Sequence, residues 1–280
     1  MNTGPIAITG ASGYLGSRLD LFFSKRDLKT IRLERNPQNA SSRKFDLHSI
    51  SNNKILEDTD ILIHCAYDFN CRTIEESHTV NYLGTKLLFD IARNSNVKKI
   101  IYISSISAVN NSNSNYGREK LNIEKLAMQY NATIIRPAFI ISRDPGGMFK
   151  RIINILSTNI FVPYFPKYIP FYITYEDELL NFIYQLISFP ESIPKRQTYS
   201  AFNDSPIDFS FFLKCSSKSF KFFNIFIPFS TLLILYTLKF LERLRFNIGF
   251  SSDSFFGLIN GHELYEQDDF NTNYYFSKFK

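Results

Sequence analysis

The first half of the chain alternates between short, continuous apolar runs and longer segments in which apolar residues recur with helical spacing. Strands that are buried on both faces of a parallel sheet have such continuous apolar runs, and amphipathic helices connect them. The alternation therefore predicts an α/β fold with a doubly wound parallel sheet. The predicted strands cover residues 6–8, 29–33, 45–47, 60–66, 97–103 and 132–135, and the predicted helices cover 17–23, 75–94 and 116–130.

A glycine-rich stretch, TGASGYLG at residues 9–16, lies between the first predicted strand and the first predicted helix. In a strand–turn–helix context, Gly10 permits the tight turn, Gly13 lets a pyrophosphate approach the backbone, and Gly16 lets helix and strand pack closely. The free N–H groups at the start of the helix favour an anionic diphosphate. The stretch therefore predicts a dinucleotide-binding turn.

A second pattern follows the strand at 97–103, where Ser104 and Ser105 precede a YxxxK pair formed by Tyr116 and Lys120. A free tyrosine has a pKa of about 10 and is a poor base at neutral pH, but a lysine one helical turn away stabilises its phenolate. A hydrogen bond from Ser105 would hold a substrate oxygen near the tyrosine. A surface helix pair has the same YxxxK spacing, yet the glycine turn, the serine pair and YxxxK occur together and in order. We therefore predict Ser105, Tyr116 and Lys120 as catalytic residues.

The end of the second predicted strand bears on the choice of cofactor. An acidic side chain there binds the ribose hydroxyls of NAD, whereas an arginine pairs with the 2′-phosphate of NADP. The chain has both, Glu34 followed by Arg35, and Glu34 lies 24 residues after Gly10. We favour NAD over NADP on this basis. Two later residues have open alternatives, because Asp46 is either an adenine contact or a turn aspartate, and His64 either contacts cofactor or packs in the core.

Composition excludes several other classes. The chain has 280 residues, 44% of them hydrophobic, as in folded globular proteins, and a net charge of +6 without a basic run that would indicate nucleic-acid binding. Its three cysteines and four histidines show neither a disulfide framework nor metal-ligand spacing, so we expect no metal and a reduced, cytoplasmic compartment. The N-terminus has no signal-peptide pattern.

The second half predicts a helix near 149–157, a strand and a helix across 173–187, and a strand at 197–202, with loops at 146–147 and 163–170. Residues 222–238 are largely apolar but are interrupted by Asn224, Pro228 and hydroxyl residues. A membrane-spanning helix needs about 20 apolar residues. We therefore favour a buried or substrate-lid helix in this segment over membrane contact.

Together, these motifs resemble an extended short-chain dehydrogenase/reductase of the NAD-dependent epimerase/dehydratase family. The resemblance covers roughly the first half of the chain and rests on TGASGYLG (9–16), DILIHCA (60–66), NYLGT (81–85), YISSIS (102–107), YGREKLNIEKLA (116–127) and IIRPAFI (135–141). The segments at 146–165 and 251–265 are similar to a branch found in bacterial surface-polysaccharide clusters, which includes nucleotide-sugar reductases and epimerases.

The resemblance implies a Rossmann-like sheet with a small C-terminal substrate-binding subdomain, a nucleoside diphosphate sugar as substrate, and pairing into a homodimer through the YxxxK helix. The residues it places at the cofactor, with those deduced above, are Gly10, Ser12, Gly13, Tyr14, Leu15, Gly16, Glu34, Arg35, Asp46, Leu47, Cys65, Ala66, Tyr116, Lys120 and Pro137. The chain departs from many epimerases in having Pro137-Ala138-Phe139 where they carry a diphosphate-binding Asn, and Val109-Asn110 where a Tyr-Gly pair is frequent.

The sequence thus predicts an NAD(P)-binding domain over residues 1–145, to which some later segments return, and a mainly substrate-binding part over 146–280. The predicted function is hydride transfer between NAD(P) and a nucleoside diphosphate sugar, by an epimerase or a reductase, with Tyr116 as acid/base. Two alternatives remain open. One is a membrane-surface dehydrogenase of a lipid-linked or steroid-like substrate, anchored by residues 220–241, and the other is a non-catalytic cofactor-binding module.

Overall fold

A seven-stranded sheet, parallel throughout, forms the centre of the molecule. The computed structural model describes residues 4–37, 41–50, 52–71, 73–110, 112, 114–203, 205–244 and 252. The strands are β1 (Ile6–Thr9), β2 (Thr30–Glu34), β3 (Ser42–Lys44), β4 (Ile61–His64), β5 (Lys99–Ile103), β6 (Thr133–Pro137), β7 (Phe139–Ile141), β8 (Phe161–Tyr164), β9 (Pro170–Phe171), β10 (Ile173–Tyr175), β11 (Thr198–Ala201), β12 (Ile207–Asp208) and β13 (Ile225–Pro228). The helices are α1 (Tyr14–Ser24), α2 (Ile74–Ser77), α3 (Gly84–Asn94), α4 (Asn115–Gln129), α5 (Gly147–Thr158), α6 (Glu176–Ser188), α7 (Phe209–Ser219) and α8 (Thr231–Arg243).

The strand order in the main sheet is β11-β6-β5-β4-β1-β2-β3. The chain runs outward from β1 to β3 on one side and then, from β4, outward to β11 on the other. The strand order therefore reverses between β1 and β4, and ligands of doubly wound sheets bind beyond the carboxyl ends of strands at such a point. The predicted Rossmann-like α/β fold is confirmed.

Alternating strand residues feed two hydrophobic cores, one on each face of the sheet. Ile6 and Ile8 of β1 pack in a core with α1 and α6, whereas Ala7 packs in the opposite core with α3 and α4. Residues 61–63 of β4 divide in the same way. Because both faces are covered, residues 6–8 of β1 and 61–63 of β4 are all apolar, as the sequence pattern indicated.

A third hydrophobic core lies outside the sheet, in what we call the C-terminal lobe, residues 145–175 and 205–244. Its interior is built from α5, α7 and the strands between them, with buried phenylalanines at 149, 165, 171, 209 and 212. Two short ladders, β8 with β13 and β9 with β12, connect its segments. Strand β11 follows the first segment of the lobe in the chain, yet it pairs with β6 in the main sheet. The sheet is therefore built from segments that are discontinuous in sequence.

Two predicted elements are wrong in detail. The third strand is Ser42–Lys44 and not residues 45–47, because the polar residues 42–44 pair with β2 at the edge of the sheet while Phe45 and Leu47 turn into the core beyond it. The apolar segment 222–238 forms strand β13 and then helix α8, with Phe229 and Ser230 between them, instead of one buried helix.

The helix predicted over 75–94 is divided by a wider π-helical segment, His78–Leu83, that lies between α2 and α3. The predicted helix 116–130, strand 197–202 and strand–helix pair in 173–187 agree with α4, β11 and β10–α6 within a few residues. No helix within the described ranges is long and apolar enough to cross a membrane. The predicted segment 251–265 lies outside the described residues except at Ser252.

Candidate active site

The glycine-rich turn lies between the carboxyl ends of β1 and β4. Gly10 follows β1 with a φ of +64°, a left-handed conformation that favours glycine. A Cβ at Gly10 would lie 3.1 Å from the backbone of Ala66, which follows β4, and a Cβ at Gly16 would lie 2.2 Å from the Gly10 carbonyl oxygen. The first and third glycines therefore allow the turn, α1 and the end of β4 to approach each other closely.

Helix α1 begins at this turn with Gly13 as its N-cap residue. Glycine has no side chain to accept a hydrogen bond from the first N–H groups of the helix, and the first turn of α1 holds no acidic residue. These N–H groups are the donors that an anionic diphosphate meets at a helix N-terminus. The turn therefore offers the donors that the diphosphate of a dinucleotide requires, and its binding role stays a prediction.

A buried polar network, which the sequence did not reveal, fixes the turn to β4. The Thr9 hydroxyl oxygen accepts hydrogen bonds from the N–H groups of Cys65 (3.0 Å) and Ala66 (3.1 Å) and lies 2.8 Å from His64 Nδ1. His64 Nε2 lies 2.9 Å from the Thr85 hydroxyl, and burial lowers the pKa of His64 to about 3. His64 is thus a neutral core histidine, and it aligns the two strand ends that flank the turn.

The predicted catalytic residues lie together next to this turn. Ser105 follows β5, the neighbour of β4, and its hydroxyl hydrogen-bonds to the Tyr116 phenol on the first turn of α4. Lys120, only 3% exposed, donates a hydrogen bond from Nζ to the Ile103 carbonyl oxygen at 2.9 Å. Its Nζ lies 5.9 Å from the centre of the Tyr116 ring.

Burial dominates the protonation of this group. It raises the pKa of Tyr116 to about 12, against the opposing effect of the Ser105 hydrogen bond, and it lowers the pKa of Lys120 to about 8. Desolvation disfavours the charged form of each group, which explains the opposite directions. In the protein by itself, Tyr116 is therefore a protonated phenol at neutral pH, suited to donating a proton.

Two aromatic side chains, which the sequence did not single out, flank Tyr116. Tyr67 contacts its ring edge-on with centroids 5.1 Å apart, and Phe69 stacks on it with centroids 5.5 Å apart although Phe69 itself is 74% exposed. Their loop is fixed by Asn81, whose side chain accepts a hydrogen bond from the N–H of Asp68 and donates one to its carbonyl oxygen. Asn81 belongs to the π-helical segment, so the wide turn there directs it at the loop.

Helix α4 is fixed in place by a buried ion pair. Arg136 of β6 makes a bidentate contact with Glu124, and both side chains are fully buried. Glu124 lies one turn beyond Lys120, so Tyr116, Lys120 and Glu124 occupy one face of the helix. The sequence predicted a strand that ends at residue 135, but β6 extends through Pro137, so Arg136 lies within the strand and holds the helix that carries Tyr116 and Lys120.

The predicted ribose-binding position lies at the end of β2, the strand beside β1. Glu34 is buried, and its carboxylate accepts hydrogen bonds from Ser42 at 2.6 Å and from Arg32 at 3.0 Å. Arg32 also donates to the Ala11 carbonyl oxygen at 2.9 Å and so connects Glu34 to the glycine-rich turn. Arg35 is exposed beside it.

The remaining predicted cofactor residues are distributed along the same edge. Asp46 accepts a hydrogen bond from the His48 N–H at 3.0 Å, as a turn aspartate does, and Leu47 is buried against Gly84. Pro137 ends β6, where its carbonyl oxygen accepts a hydrogen bond from the Ile106 N–H at 2.9 Å. The binding roles proposed for Asp46, Leu47 and Pro137 stay predictions.

Residues 12, 14 and 15 have different surroundings although they share the turn. The Tyr14 side chain packs against Gly146 and Gly147 at the start of α5 and donates a hydrogen bond to Ser142 at 3.2 Å. It therefore connects the sheet to the C-terminal lobe, so that only its backbone N–H is left for a diphosphate. Ser12 is exposed in the turn and Leu15 packs at the edge of the core, so their predicted contacts also await a test.

A doubly wound parallel sheet with a glycine-rich turn at its switch point and a Ser–Tyr–Lys group at the same edge defines a protein of the short-chain dehydrogenase/reductase class. Comparison with known families agrees. The sequence model of the NAD dependent epimerase/dehydratase family matches residues 6–157, and the chain belongs to that family of NAD-dependent enzymes.

Individual relatives are distant. A curated relative, the 4-hydroxy-2-methyl-3-oxo-4-farnesyl-3,4-dihydroquinoline-1-oxide ketoreductase of Stigmatella aurantiaca, is 24% identical over 185 residues, and the match spans 55% of each chain. Among solved structures, UDP-N-acetylglucosamine 4-epimerase from Bacillus cereus is 18% identical with a TM-score of 0.68, covering 95% of this chain and 97% of that one. The dTDP-4-dehydrorhamnose reductase from Bacillus anthracis, in complex with NADP, is also 18% identical with a TM-score of 0.68. The match covers 81% of this chain and 85% of that one. At such identities, the structural matches support the fold.

Proposed function

We propose that the protein transfers a hydride between NAD(P) and a nucleoside diphosphate sugar, with Tyr116 as the acid/base, in the synthesis of a bacterial surface polysaccharide. The observation that supports this most is the close grouping of Ser105, Tyr116 and Lys120 beside the glycine-rich turn. The nucleotide sugars named for the solved structures, UDP-N-acetylglucosamine and a dTDP-linked sugar, support the substrate class.

The residues of the site divide the work of such a reaction. Gly10, Gly13 and Gly16 would hold the cofactor diphosphate, and the bound nicotinamide supplies or accepts the hydride. Ser105 would donate a hydrogen bond to the substrate oxygen and hold it against Tyr116. The Tyr116 phenol then donates its proton when a carbonyl is reduced, and the Tyr116 phenolate takes the proton when an alcohol is oxidised.

Lys120 supports the second direction of that proton transfer. A cofactor that introduces positive charge near Tyr116, together with the Lys120 ammonium, would lower the pKa of Tyr116 from its value of about 12 in the protein alone. Without positive charge from a cofactor, Tyr116 stays protonated and favours reduction of a carbonyl. With that charge nearby, Tyr116 can lose its proton and support oxidation of an alcohol. An epimerase requires both directions, whereas a reductase requires only the first.

We propose NAD as the cofactor, because the buried Glu34 carboxylate at the end of β2 would repel the 2′-phosphate of NADP. Titration with NADH and with NADPH, monitored by nucleotide fluorescence, tests this. NADH should bind more tightly, and Glu34→Ala should reduce the preference. Tighter NADPH binding that Arg35→Ala abolishes would show the cofactor assignment to be wrong, and binding of neither would favour a non-catalytic module.

Activity is tested with a panel of UDP- and dTDP-linked sugars, by following both nicotinamide absorbance and sugar epimerisation. Tyr116→Phe should lower kcat at least about 100-fold, since it removes the proton that is transferred. Tyr236→Phe on α8 makes the same chemical change at an exposed position and should have no effect. Wild-type turnover with no loss in Tyr116→Phe would exclude Tyr116 as the acid/base.

A second candidate is the reduction of a lipophilic carbonyl substrate at the same site. Two observations favour it, namely the farnesyl group in the name of the Stigmatella aurantiaca ketoreductase and the exposed apolar side chains of the C-terminal lobe. A farnesyl-bearing quinolone ketone, assayed beside the nucleotide sugars, distinguishes the candidates. Turnover of the ketone without turnover of any nucleotide sugar would replace the first proposal by the second.

A further inference from the structure

Exposed large hydrophobic residues are concentrated in the C-terminal lobe. Of the 21 large hydrophobic residues that are exposed in the described part of the chain, 14 lie in this lobe. Isolated exposed apolar residues need no explanation, but contiguous groups of them indicate a binding surface. The question is therefore whether these side chains are contiguous.

Strand pairing and the lining of one groove show that several of them are contiguous. Phe161 of β8 pairs with Ile225 of β13, and both are exposed. Residues of β8, β13 and α8 then line one groove of about 500 Å³, whose wall is apolar almost throughout and includes Phe161, Ile227 and Leu233. We call this groove, together with the exposed apolar residues that adjoin it along the chain, the apolar face. Its exposed members are Ile160, Phe161, Ile225, Ile227, Phe229, Leu232, Leu233, Tyr236, Phe240 and Leu244.

Helix α8 extends the apolar face along its length. Leu235 and Leu238 are buried against the lobe, as expected for an amphipathic surface helix. Its opposite side is also apolar, with Leu232, Tyr236 and Phe240 at steps of four residues, and these side chains are between 61% and 70% exposed. A helix that is apolar on both sides needs an apolar environment on the outer side too.

Charge indicates what that environment is. The lobe holds eight Lys and Arg residues against Asp208 and Glu242. The formal net charge of +6 for the whole chain therefore equals that of the lobe alone. All eight basic residues are exposed, at positions 150, 151, 167, 214, 218, 221, 239 and 243. A basic surface that also exposes Phe, Leu and Tyr side chains is typical of proteins that bind the interface of an anionic membrane.

We propose that the apolar face of the C-terminal lobe binds an anionic lipid surface. The apolar side chains of α8 and β13 enter the boundary between headgroups and acyl chains, and the exposed lysines and arginines of the lobe, Lys239 and Arg243 of α8 first, contact the anionic headgroups. A second copy of the chain is a less suitable occupant, because it would bring two lobes of the same positive charge together. The proposal does not depend on the substrate, since it concerns the lobe and not the Ser–Tyr–Lys group.

Flotation of the full chain with vesicles tests the proposal. We expect binding to vesicles of phosphatidylcholine and phosphatidylglycerol, and much weaker binding to phosphatidylcholine alone. Replacing Leu232, Tyr236 and Phe240 together by serine should reduce binding at least tenfold. As a matched control, Leu21→Ser with Leu87→Ser, two exposed apolar residues of the sheet domain, should leave binding unchanged.

Charge is tested separately by Lys239→Gln and Arg243→Gln, each of which should weaken binding about fivefold at low salt. Lys25→Gln is the control at an exposed position outside the lobe. Tyr116→Phe should bind vesicles like the wild type, so failure of the catalytic proposal and failure of this one are distinguishable.

Absence of binding to either vesicle would overturn the proposal, as would a triple serine variant that still binds like the wild type. A chain that dimerises through α8, so that the triple variant alone is monomeric in size-exclusion chromatography, would assign the face to a second copy instead. Binding that appears only after residues 245–280 are removed would assign it to that segment of the same chain.

Discussion

Replacing Lys120, the proposed catalytic lysine, should change the pH dependence of stability as well as activity. Lys120 is buried beside Tyr67, Tyr102 and Tyr116, and its charged form is retained at the expense of desolvation. Methionine is similar in length but carries no charge. We therefore expect Lys120→Met to lose activity and to fold stably at neutral pH, while the stability difference from the wild type varies with pH.

The direction and size follow from the pKa. Burial lowers the pKa of Lys120 from 10.5 to about 8. Between these values the unfolded chain holds a proton that the folded one has released, so stability rises with pH across that interval. The whole shift corresponds to about 3 kcal/mol, of which about 2 kcal/mol is regained by the wild type between pH 7 and pH 9.5. Lys120→Met lacks this gain.

Urea unfolding of both proteins at pH 7, 8, 9 and 9.5 measures the difference, in which contributions from all other titrating groups cancel. The wild type should gain about 2 kcal/mol on the variant over this range. Lys25→Met, at an exposed position, should show no such trend. A difference that stays constant with pH would refute the reasoning, because it would mean that the folded protein does not lower the pKa of Lys120.

Three further predictions concern the surroundings of the site. Glu124→Gln should destabilise the protein by about 3–5 kcal/mol in urea unfolding, because it removes the carboxylate that compensates the buried charge of Arg136. Changing both residues to methionine should recover most of this loss, and a Glu124→Gln variant as stable as the wild type would contradict the prediction. Gly10→Ala should lower the free energy of unfolding by about 1–3 kcal/mol, because of the left-handed φ at this position and the close contact with Ala66. It should also weaken NADH binding at least tenfold, and unchanged binding would exclude the turn as the diphosphate site. Phe69→Ala should raise KM more than it lowers kcat, since its exposed ring stacks on the Tyr116 phenol, and an effect on kcat alone would argue that Phe69 only orients Tyr116.

The sheet was predictable because its strands have a local signal. Where both sheet faces are covered, successive residues of a strand are apolar, as at 61–63 in β4, and the pattern is visible without knowledge of the partner strands. Strand β3 lacked this signal, because an edge strand pairs through its backbone and its side chains at 42–44 are polar. Phe45 and Leu47 indicated burial correctly and strand pairing wrongly, since burial and pairing are separate properties.

The same distinction explains the segment at 222–238. Its apolar composition predicted a buried helix, but Pro228 and Ser230 lie where the strand ends and the helix has yet to begin. Most of its apolar side chains are exposed, which composition alone does not reveal. Exposure depends on how β13 pairs with β8, a contact between residues more than 60 positions apart.

Within the site, residues that belong to motifs were predictable and residues that support them were not. The glycine turn and YxxxK are spacing patterns with a chemical meaning at each position. Thr9 and Asn81 instead act on backbone groups that are distant in sequence, such as the N–H of Ala66 and the carbonyl of Asp68. Any Thr or Asn in a sequence has the same capacity, so only the fold shows which ones use it.

Helix α4 connects these observations. Its inward face has Tyr116, Lys120 and Glu124 at steps of four residues, and the latter two are buried. A helix whose buried face is polar gains less from packing than an apolar one, and here the charge of Lys120 opposes folding. The bidentate Arg136–Glu124 pair holds the helix against β6 at a point where the polar side chains of Tyr116 and Lys120 replace apolar contacts. If the pair positions the helix in this way, its loss should lower kcat and change KM much less. The loss displaces Tyr116 and Lys120 without removing any group that contacts the substrate.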